Sequence, residues 1–291
     1  MYIDESWARA HLPLRENSGN KGSFGKLFAI VGSARYRGAA RLSLLSALRG
    51  GAGYVYLCAE ESVCRELSMG LPEIIYEPIV SGFTDESISA IVASSGKASA
   101  VLVGCGSGAS HGLFELCRAL IGTEGGTLIL DADAINSIAE YSSDPIALLA
   151  SAKRRVILTP HPLEFSRISG IPTEAVNESR EATARDFAGK TGTVLLLKGY
   201  GTVISDGTEV YVNTSGSSAL AKAGSGDTLA GLLASIAAMG KTDALTAAAL
   251  AAFIHGTAGE RLAAEYSTYG VTPSDLPREM ARVIASLQNS N

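Results

Sequence analysis

One aspartate lies directly after a glycine-rich turn, in a segment whose residue types suit proton transfer beside a bound anion. Asp227 follows Gly224-Ser225-Gly226 and precedes a long apolar stretch that predicts a helix. The free N–H groups at the start of such a helix can bind phosphate oxygens. A carboxylate is a poor phosphate ligand, but it can accept the proton of an attacking hydroxyl. The pattern favours Asp227 as a general base; the alternative is an ordinary N-cap aspartate.

Further candidate side chains lie directly after two of the predicted strands. Asp131 and Asp133 come directly after Thr127–Leu130, where a carboxylate can hold Mg²⁺ or a substrate hydroxyl. For Asp133 we favour the N-cap of the next helix. His161 stands between two prolines that fix its backbone; the alternative is a structural histidine in a rigid turn. Glu164 is expected in the first turn of a helix, where the helix dipole stabilises a negative charge.

Glycine-rich loops follow two more predicted strands. The loop of residues 32–40 contains small residues that allow a ligand to approach a helix N-terminus. It is not a P-loop, because the Lys-Ser/Thr pair is missing, and tight packing of strand against helix explains it equally well. Gly104, Gly106 and Gly108 indicate a sharp turn or a close approach to a ligand. They do not match the Rossmann pattern.

The apolar pattern predicts alternating strands and helices that hold these loops. Buried strands are predicted at residues 26–31, 54–58, 100–103, 127–130, 155–158 and 194–197. Helices are predicted at residues 38–49, 113–121, 173–188, 227–238, 244–264 and 274–287. This alternation is typical of a mostly parallel sheet with helices on both faces, where ligands bind beyond the carboxyl ends of the strands. Two short runs that flank Asp206-Gly207 predict an antiparallel edge hairpin.

Length and composition limit the class of protein. The chain has 291 residues, of which 46% are hydrophobic and 18% charged, so we expect one domain over residues 1–291 with a large core. The net charge of −5 argues against nucleic acid or anionic membranes as partners. The start lacks a signal-peptide pattern, and the Ala-rich stretch of residues 244–252 is too short to span a bilayer. The four cysteines lack metal-type spacing, which suggests reduced thiols in a cytoplasmic protein.

The order of these motifs resembles that of one enzyme family. The segment of residues 223–227 before an apolar helix resembles the G-x-G-D signature of the ribokinase-like superfamily. The chain is further similar to the ADP/ATP-dependent NAD(P)H-hydrate dehydratases at residues 26–28, 38–40, 49–53, 131–136, 159–165, 197–202 and 255–259. Two segments depart from the family pattern. Members typically have Gly-Pro-Gly-Leu-Gly at residues 104–108, and often an Asn-Pro pair where residues 215–218 stand.

The resemblance implies a ribokinase-like three-layer sandwich and a repair reaction. Water added to the nicotinamide ring of NADH or NADPH is removed at the expense of a nucleotide phosphoanhydride. We expect ADP as the phosphoryl donor, giving AMP and phosphate, with Mg²⁺ stabilising charge; ATP is the alternative donor. Members are often tetramers or larger. The Ala-rich late helices suggest an apolar interface for such a homo-oligomer.

The resemblance also implies roles for individual residues. Asp227 is expected to be the catalytic base and to contact the hydrated dinucleotide. Further substrate contacts are expected at Ala40, Gly106, Gly108 and His161. Contacts with the adenine nucleotide are expected at Lys198, Gly199, Tyr200, Gly201, Thr202, Gly224, Ser225 and Gly226. No residue is predicted as a direct metal ligand.

Two other functions compete with this hypothesis. A ribokinase-like kinase of a small alcohol or vitamin precursor would use the same anion site and aspartate but stop at the phosphorylated product. A catalytically silent nucleotide-binding protein is the second alternative, and Asp227 beside an intact glycine turn argues against it. Recovery of reduced nicotinamide separates the dehydratase from the kinase.

Overall fold

A single mixed sheet forms the centre of the computed structural model, which describes residues 1–80 and 82–288. Its strands in the described residues are β1 (Tyr2–Ile3), β2 (Lys26–Ile30), β3 (Tyr54–Glu60), β4 (Ile75–Ile79), β5 (Ala100–Val103), β6 (Thr127–Leu130), β7 (Val156–Leu158), β8 (Val194–Leu197), β9 (Val203–Ser205) and β10 (Val210–Asn213). Their order in the sheet is β1-β10-β9-β8-β7-β6-β5-β2-β3-β4. All predicted strands are present, within a few residues of the predicted bounds.

Helices connect most of these strands. In the same residues they are α1 (Glu5–His11), α2 (Arg37–Gly50), α3 (Glu61–Ser68), α4 (Asp85–Ser95), α5 (His111–Ile121), α6 (Asp133–Tyr141), α7 (Pro145–Ala150), α8 (Pro162–Ser169), α9 (Thr173–Glu178), α10 (Arg180–Thr191), α11 (Ser225–Met239), α12 (Ala244–Gly270) and α13 (Leu276–Gln288). The single helix predicted over residues 173–188 is two helices, α9 and α10, which meet at Ser179. The backbone of α12 is interrupted near its end at Ser267.

Two hydrophobic cores lie on opposite faces of the sheet, because successive side chains of a strand point to opposite sides. On β5, Ala100 and Leu102 join the core formed with α1 to α3 and α11 to α13. Val101 and Val103 join the other core, formed with α4 to α10. The molecule is therefore a three-layer α/β sandwich, as predicted.

The order of the strands creates a crevice in the middle of the sheet. Strands β2 to β8 are mutually parallel where they pair, and β2 lies between β3 and β5. The chain therefore leaves β2 in one direction and β5 in the other, which forms a crevice beyond the carboxyl ends of these strands, bordered by the loops that follow them. These loops touch, since the Gly32 N–H donates to the carbonyl oxygen of Cys105 at 2.8 Å. The predicted hairpin is present as β9 and β10, antiparallel at the edge.

The Ala-rich part of α12 packs inside the chain. Its alanines from Ala247 to Ala251 are fully buried against the other helices of their layer. These alanines are therefore not available to an oligomer interface, because the chain itself already covers them, and the oligomeric interface of the late helices stays a prediction. The single domain over residues 1–291 stays a prediction, and residues 81 and 289–291 of that range lie outside the described residues. In the described part of the chain, no helix has the length and apolar character needed to cross a membrane.

Candidate active site

A buried carboxylate lies where the three central strands β6, β7 and β8 end. Asp131, directly after β6, is 1% exposed. Its Oδ1 accepts hydrogen bonds from Thr159 Oγ1 at 2.7 Å and from Lys198 Nζ at 2.8 Å. Its Oδ2 accepts one from Cys105 Sγ at 3.4 Å. Both carboxylate oxygens therefore accept hydrogen bonds from the protein itself, and the side chain is almost completely buried.

The start of α11 faces this carboxylate. Gly224 occupies the N-cap position with φ of 102°, and the helix begins at Ser225. The positive φ favours glycine here, and a Cβ on Gly224 would lie 2.7 Å from Leu42 Cδ1, so the leucine side chain would have to move. No side chain of the described residues caps this N-terminus. The Ser225 N–H donates to the Lys222 carbonyl at 3.1 Å and is thereby removed from the predicted anion site.

Asp227 lies in the first turn of α11 and not at its cap. Its carboxylate oxygen, Asp131 and Cys105 Sγ lie within 4.8 Å of one another. Burial, and then the charge of Asp131, raise the pKa of Asp227 to about 7, although Lys198 acts in the opposite direction. A carboxylate with this pKa can both take up and release a proton near neutral pH, which is the property a general base requires.

Lys198 completes a cluster of charges with Asp131, Glu164 and Asp227, here called the charged cluster. Its Nζ lies 3.9 Å from Glu164 Oε2, in addition to the bond with Asp131. Burial alone would lower the pKa of Lys198, but Asp131 and Glu164 raise it above its usual value. The ammonium group is therefore charged, and it lies 3.4 Å from the position that a Cβ on Gly226 would occupy.

His161 is the N-cap of α8. Its Nδ1 accepts the N–H groups of Leu163 and Glu164, both at 3.2 Å. Its Nε2 lies 3.3 Å from Glu164 Oε1, and the His161 N–H donates to Glu164 Oε2 at 2.9 Å. Burial, and then Lys198, lower the pKa of His161, so the ring is neutral near pH 7. The side chain is still 46% exposed.

The glycine loop after β5 borders the crevice together with the loop after β2. Gly104, Gly106 and Gly108 all have positive φ, and a Cβ on Gly104 would lie only 2.0 Å from the Asp131 carbonyl oxygen. Asp133 is the first residue of α6 and not its N-cap, so that prediction is wrong; instead its Oδ2 accepts the Gly108 N–H at 2.8 Å. This bond holds the loop against the first turn of α6.

Ala40 is the predicted substrate residue that the structure does not bring to the crevice surface. It is completely buried in α2, and its Cβ lies 2.6 Å from the position that a Cβ on Gly32 would take. Ala40 therefore supports the loop after β2 from below. Any contact between this part of the chain and a ligand must be made by neighbouring residues.

A cavity of about 400 Å³ adjoins the charged cluster. It brings together two predicted segments, residues 198–202 and residues 225–226. It is also lined by residues that the sequence did not single out for this purpose: Asn213, Ser215, Gly216, Ser217, Ser218, Leu220, Ala221, Leu229, Ala252, His255 and Gly256. Asn213 ends the hairpin and donates to the Ala252 carbonyl at 3.1 Å, which ties the hairpin to α12. The Asp206-Gly207 pattern predicted the hairpin at the edge of the sheet, but it gave no sign that the hairpin contacts α12.

Cys105, Asp131 and Asp227 do not fit Mg²⁺, although their donor atoms lie close together. Both oxygens of Asp131 already accept hydrogen bonds. Burial, and then Asp131, raise the pKa of the Cys105 thiol, so it stays protonated, and sulfur is a poor ligand for this hard cation.

Fold and site together define a ribokinase-like α/β protein, in which a lysine and an aspartate face the glycine turn of a buried helix. A ribokinase-like superfamily protein from Enterococcus faecalis shares this fold, with a TM-score of 0.85 at 23% identity over 98% of this chain and 95% of that one. The chain belongs to the NAD(P)H-hydrate dehydratase family, whose profile matches residues 27–282. The predicted family is thereby confirmed.

Individual relatives cover nearly the whole chain. The ADP-dependent (S)-NAD(P)H-hydrate dehydratase of Xanthomonas campestris is 32% identical over 280 residues, which cover 94% of this chain and 93% of the relative. The crystal structure of the ADP/ATP-dependent NAD(P)H-hydrate dehydratase from Bacillus subtilis, co-crystallized with ATP/Mg²⁺, has a TM-score of 0.86 at 28% identity and covers 98% of each chain. The chain also matches bifunctional NAD(P)H-hydrate repair enzymes, of whose length it spans about half.

Proposed function

We propose that the chain is an ADP-dependent (S)-NAD(P)H-hydrate dehydratase, which converts hydrated NADH or NADPH to the intact cofactor and ADP to AMP and phosphate. The observation that carries this proposal is the Asp227 carboxylate, with a pKa of about 7, at the N-terminus of α11. A base at this position lies beside the anion site and not inside it. Family membership supports the same reaction.

The reaction solves the problem that hydroxide is a poor leaving group. The C6 hydroxyl oxygen of the hydrated ring attacks the terminal phosphorus of ADP, the bond from phosphorus to the AMP oxygen breaks, and Asp227 accepts the hydroxyl proton. The ring nitrogen next to C6 then donates its electron pair, and the C6–O bond breaks to release phosphate. Loss of a C5 proton restores the double bond of the ring.

The nucleotide is proposed to occupy the cavity beside the hairpin. Residues 198–202 and 225–226 line it, as the family resemblance requires, and Tyr200 is exposed at its rim. The terminal phosphate would lie between the α11 N-terminus and the Lys198 ammonium group, where both stabilise negative charge. Gly224 contributes by shaping the helix start.

The hydrated dinucleotide is proposed to bind in the crevice of the sheet. Gly106 and Gly108 in one wall and the exposed face of His161 in the other are the proposed contacts. Because His161 uses both ring nitrogens within α8, we assign it binding by surface contact and no proton transfer. Ala40 supports this crevice from beneath.

Mg²⁺, the oligomeric state and the location in the cell form the rest of the proposal. Mg²⁺ would enter on the phosphate oxygens of the nucleotide, where it supplies charge neutralisation, and no step above depends on it. A homo-oligomer such as a tetramer stays a prediction, which light scattering after size-exclusion chromatography tests. A cytoplasmic location stays a prediction that fits the four free, buried cysteines.

Incubation with hydrated NADH, Mg²⁺ and either ADP or ATP tests the proposed reaction. We expect the near-ultraviolet absorbance of reduced nicotinamide to return at the rate at which AMP and phosphate appear from ADP. Separate assays with hydrated NADPH and with ATP establish the preference for each substrate. Consumption of nucleotide together with a phosphorylated alcohol, but without recovery of the chromophore, would instead identify a kinase.

A further inference from the structure

We propose that Asp131 is a positioning residue, which fixes the Lys198 ammonium group at the N-terminus of α11 and keeps it away from the Asp227 carboxylate. This inference rests on the proposed function, since it assigns the transferring phosphoryl group to the space beside Lys198. Asp131 does not itself touch the substrate, because its oxygens are covered by residues of the protein.

The surroundings of Asp131 hold its carboxylate in one orientation. The residue is completely enclosed, and donors from three different segments converge on it: the loop after β5, the end of β7 and the end of β8. A buried ion pair contributes little net stability, because both charges lose their hydration. Well-packed hydrophobic residues in place of such a pair usually leave the free energy of unfolding unchanged or raise it. The pair therefore points to a requirement for the lysine charge at a fixed place.

The location of that charge is unusual. The N-terminus of a helix carries a partial positive charge, and the Lys198 ammonium group faces the first turn of α11 near Gly226. Two positive groups that face each other repel, unless an anion binds between them. Asp131 and Glu164 hold the ammonium in place from behind. The side of the ammonium group that faces the start of α11 is therefore open to a ligand with negative charge.

The alternative position of the Lys198 side chain explains why Asp131 is needed. Lysine has a flexible four-carbon stem, and Asp227 lies in the same cluster within reach of Asp131. Without the Asp131 charge, the ammonium would pair with Asp227. Such a pair would leave the phosphate unneutralised and would make the Asp227 carboxylate a weaker base.

Kinetics of the Asp131→Asn variant test the positioning role. Asparagine keeps the shape and the Thr159 bond but removes the charge. We expect kcat to fall about 10²-fold, and the dissociation constant of ADP to rise by up to about tenfold because Lys198 no longer faces the terminal phosphate. The acid limb of the pH profile should move to lower pH, because the groups that act on Asp227 are Asp131, Lys198, Cys105 and Asp133, and one negative charge among them is lost.

A double-mutant cycle gives the second readout. Residues that act as a unit are not additive, so Asp131→Asn combined with Lys198→Met should be no slower than Lys198→Met alone. Glu279→Gln is the matched control. Like Asp131, Glu279 is a buried carboxylate in an ion pair, but its partner is Arg282 and it lies in α13. We expect this control to keep kcat within about twofold of the wild type.

A crystal structure of the Asp131→Asn variant gives a readout that does not depend on turnover. Movement of Lys198 Nζ away from Gly226 toward Asp227 supports the inference. An unmoved lysine, additive losses in the cycle, or kcat within about threefold of wild type would overturn it. If the wild type fails to dehydrate hydrated NADH, the proposed function fails, and the position of Lys198 in this variant still decides the inference.

Discussion

At the scale of single residues, the Asp227 carboxylate is the group on which the proposed chemistry depends. Replacing it with asparagine keeps the size of the side chain but removes the base. We expect Asp227→Asn to lower kcat by about 10²–10⁴-fold, the usual contribution of general-base catalysis. Rates of NADH recovery at saturating ADP measure this effect. A kcat within about tenfold of the wild type would contradict the assigned role.

The pKa of Asp227 also predicts how activity depends on pH. Burial and the Asp131 charge raise that pKa to about 7, and only the deprotonated carboxylate accepts a proton. We therefore expect kcat/KM to fall about tenfold per pH unit below pH 7 and to reach a plateau above it. Initial rates between pH 5 and pH 9 measure the profile. A flat profile through pH 6 would show that another group is the base.

Sequence patterns identified the candidate residues but not the pairs they form. The strand-end rule pointed to Asp131, the glycine turn before an apolar helix pointed to Asp227, and the family resemblance pointed to Lys198. Their contacts depend on the order of β5 to β8 in the sheet, which no local pattern encodes. Asp133 shows the same limit, because a preference for the N-cap is local, whereas its bond to Gly108 crosses 25 residues of chain.

At the scale of elements, the first turn of α11 must combine a left-handed cap with an open face. Gly226 has no positive φ, so alanine there should leave stability unchanged or slightly higher. Its methyl group would lie beside Lys198 Nζ in the proposed phosphate site. We expect Gly226→Ala to raise KM for ADP at least about tenfold, a loss of about 1.4 kcal/mol.

The neighbouring glycine provides a control for this experiment. Gly224→Ala forces a positive φ on alanine and a clash with Leu42, so it should lower the free energy of unfolding by about 1–3 kcal/mol. Thermal melting and ADP titration of both variants separate the two effects. Loss of stability in Gly226→Ala, with normal affinity for ADP, would place the phosphate elsewhere.

Elements with a strong apolar pattern were predicted well, and weakly patterned ones were not. The buried central strands β5, β6 and β8 have the predicted bounds, because both faces of each strand are covered by helices. The edge strand β4 was missed, since its side chains are partly exposed and it contains Pro78. The short strand β1 was missed too, because its two residues are too few for a periodic signal.

At the scale of the whole molecule, the N-terminal segment joins the sheet beside the hairpin that borders the nucleotide cavity. The Met1 ammonium donates to the Val210 carbonyl at 2.7 Å, and Ile3 pairs with Asn213. Thr202 and Asn213, at the two ends of the hairpin, both line the cavity. Segments separated by 209 residues therefore meet at one edge of the sheet. Such a contact can be found only in the folded structure.

The pairing of β1 with β10 predicts a substitution that lowers the stability of the protein without lowering its activity. Ile3 is 0% exposed and packs into the core with α1, so Ile3→Ala should lower the free energy of unfolding by about 2–4 kcal/mol. Tyr2 on the same strand is 71% exposed, and Tyr2→Ala should change it by less than about 0.5 kcal/mol. Urea unfolding measures both. The kcat of folded Ile3→Ala should stay unchanged, because the residue lies outside the charged cluster; equal losses of stability in the two variants would mean that β1 does not anchor the edge.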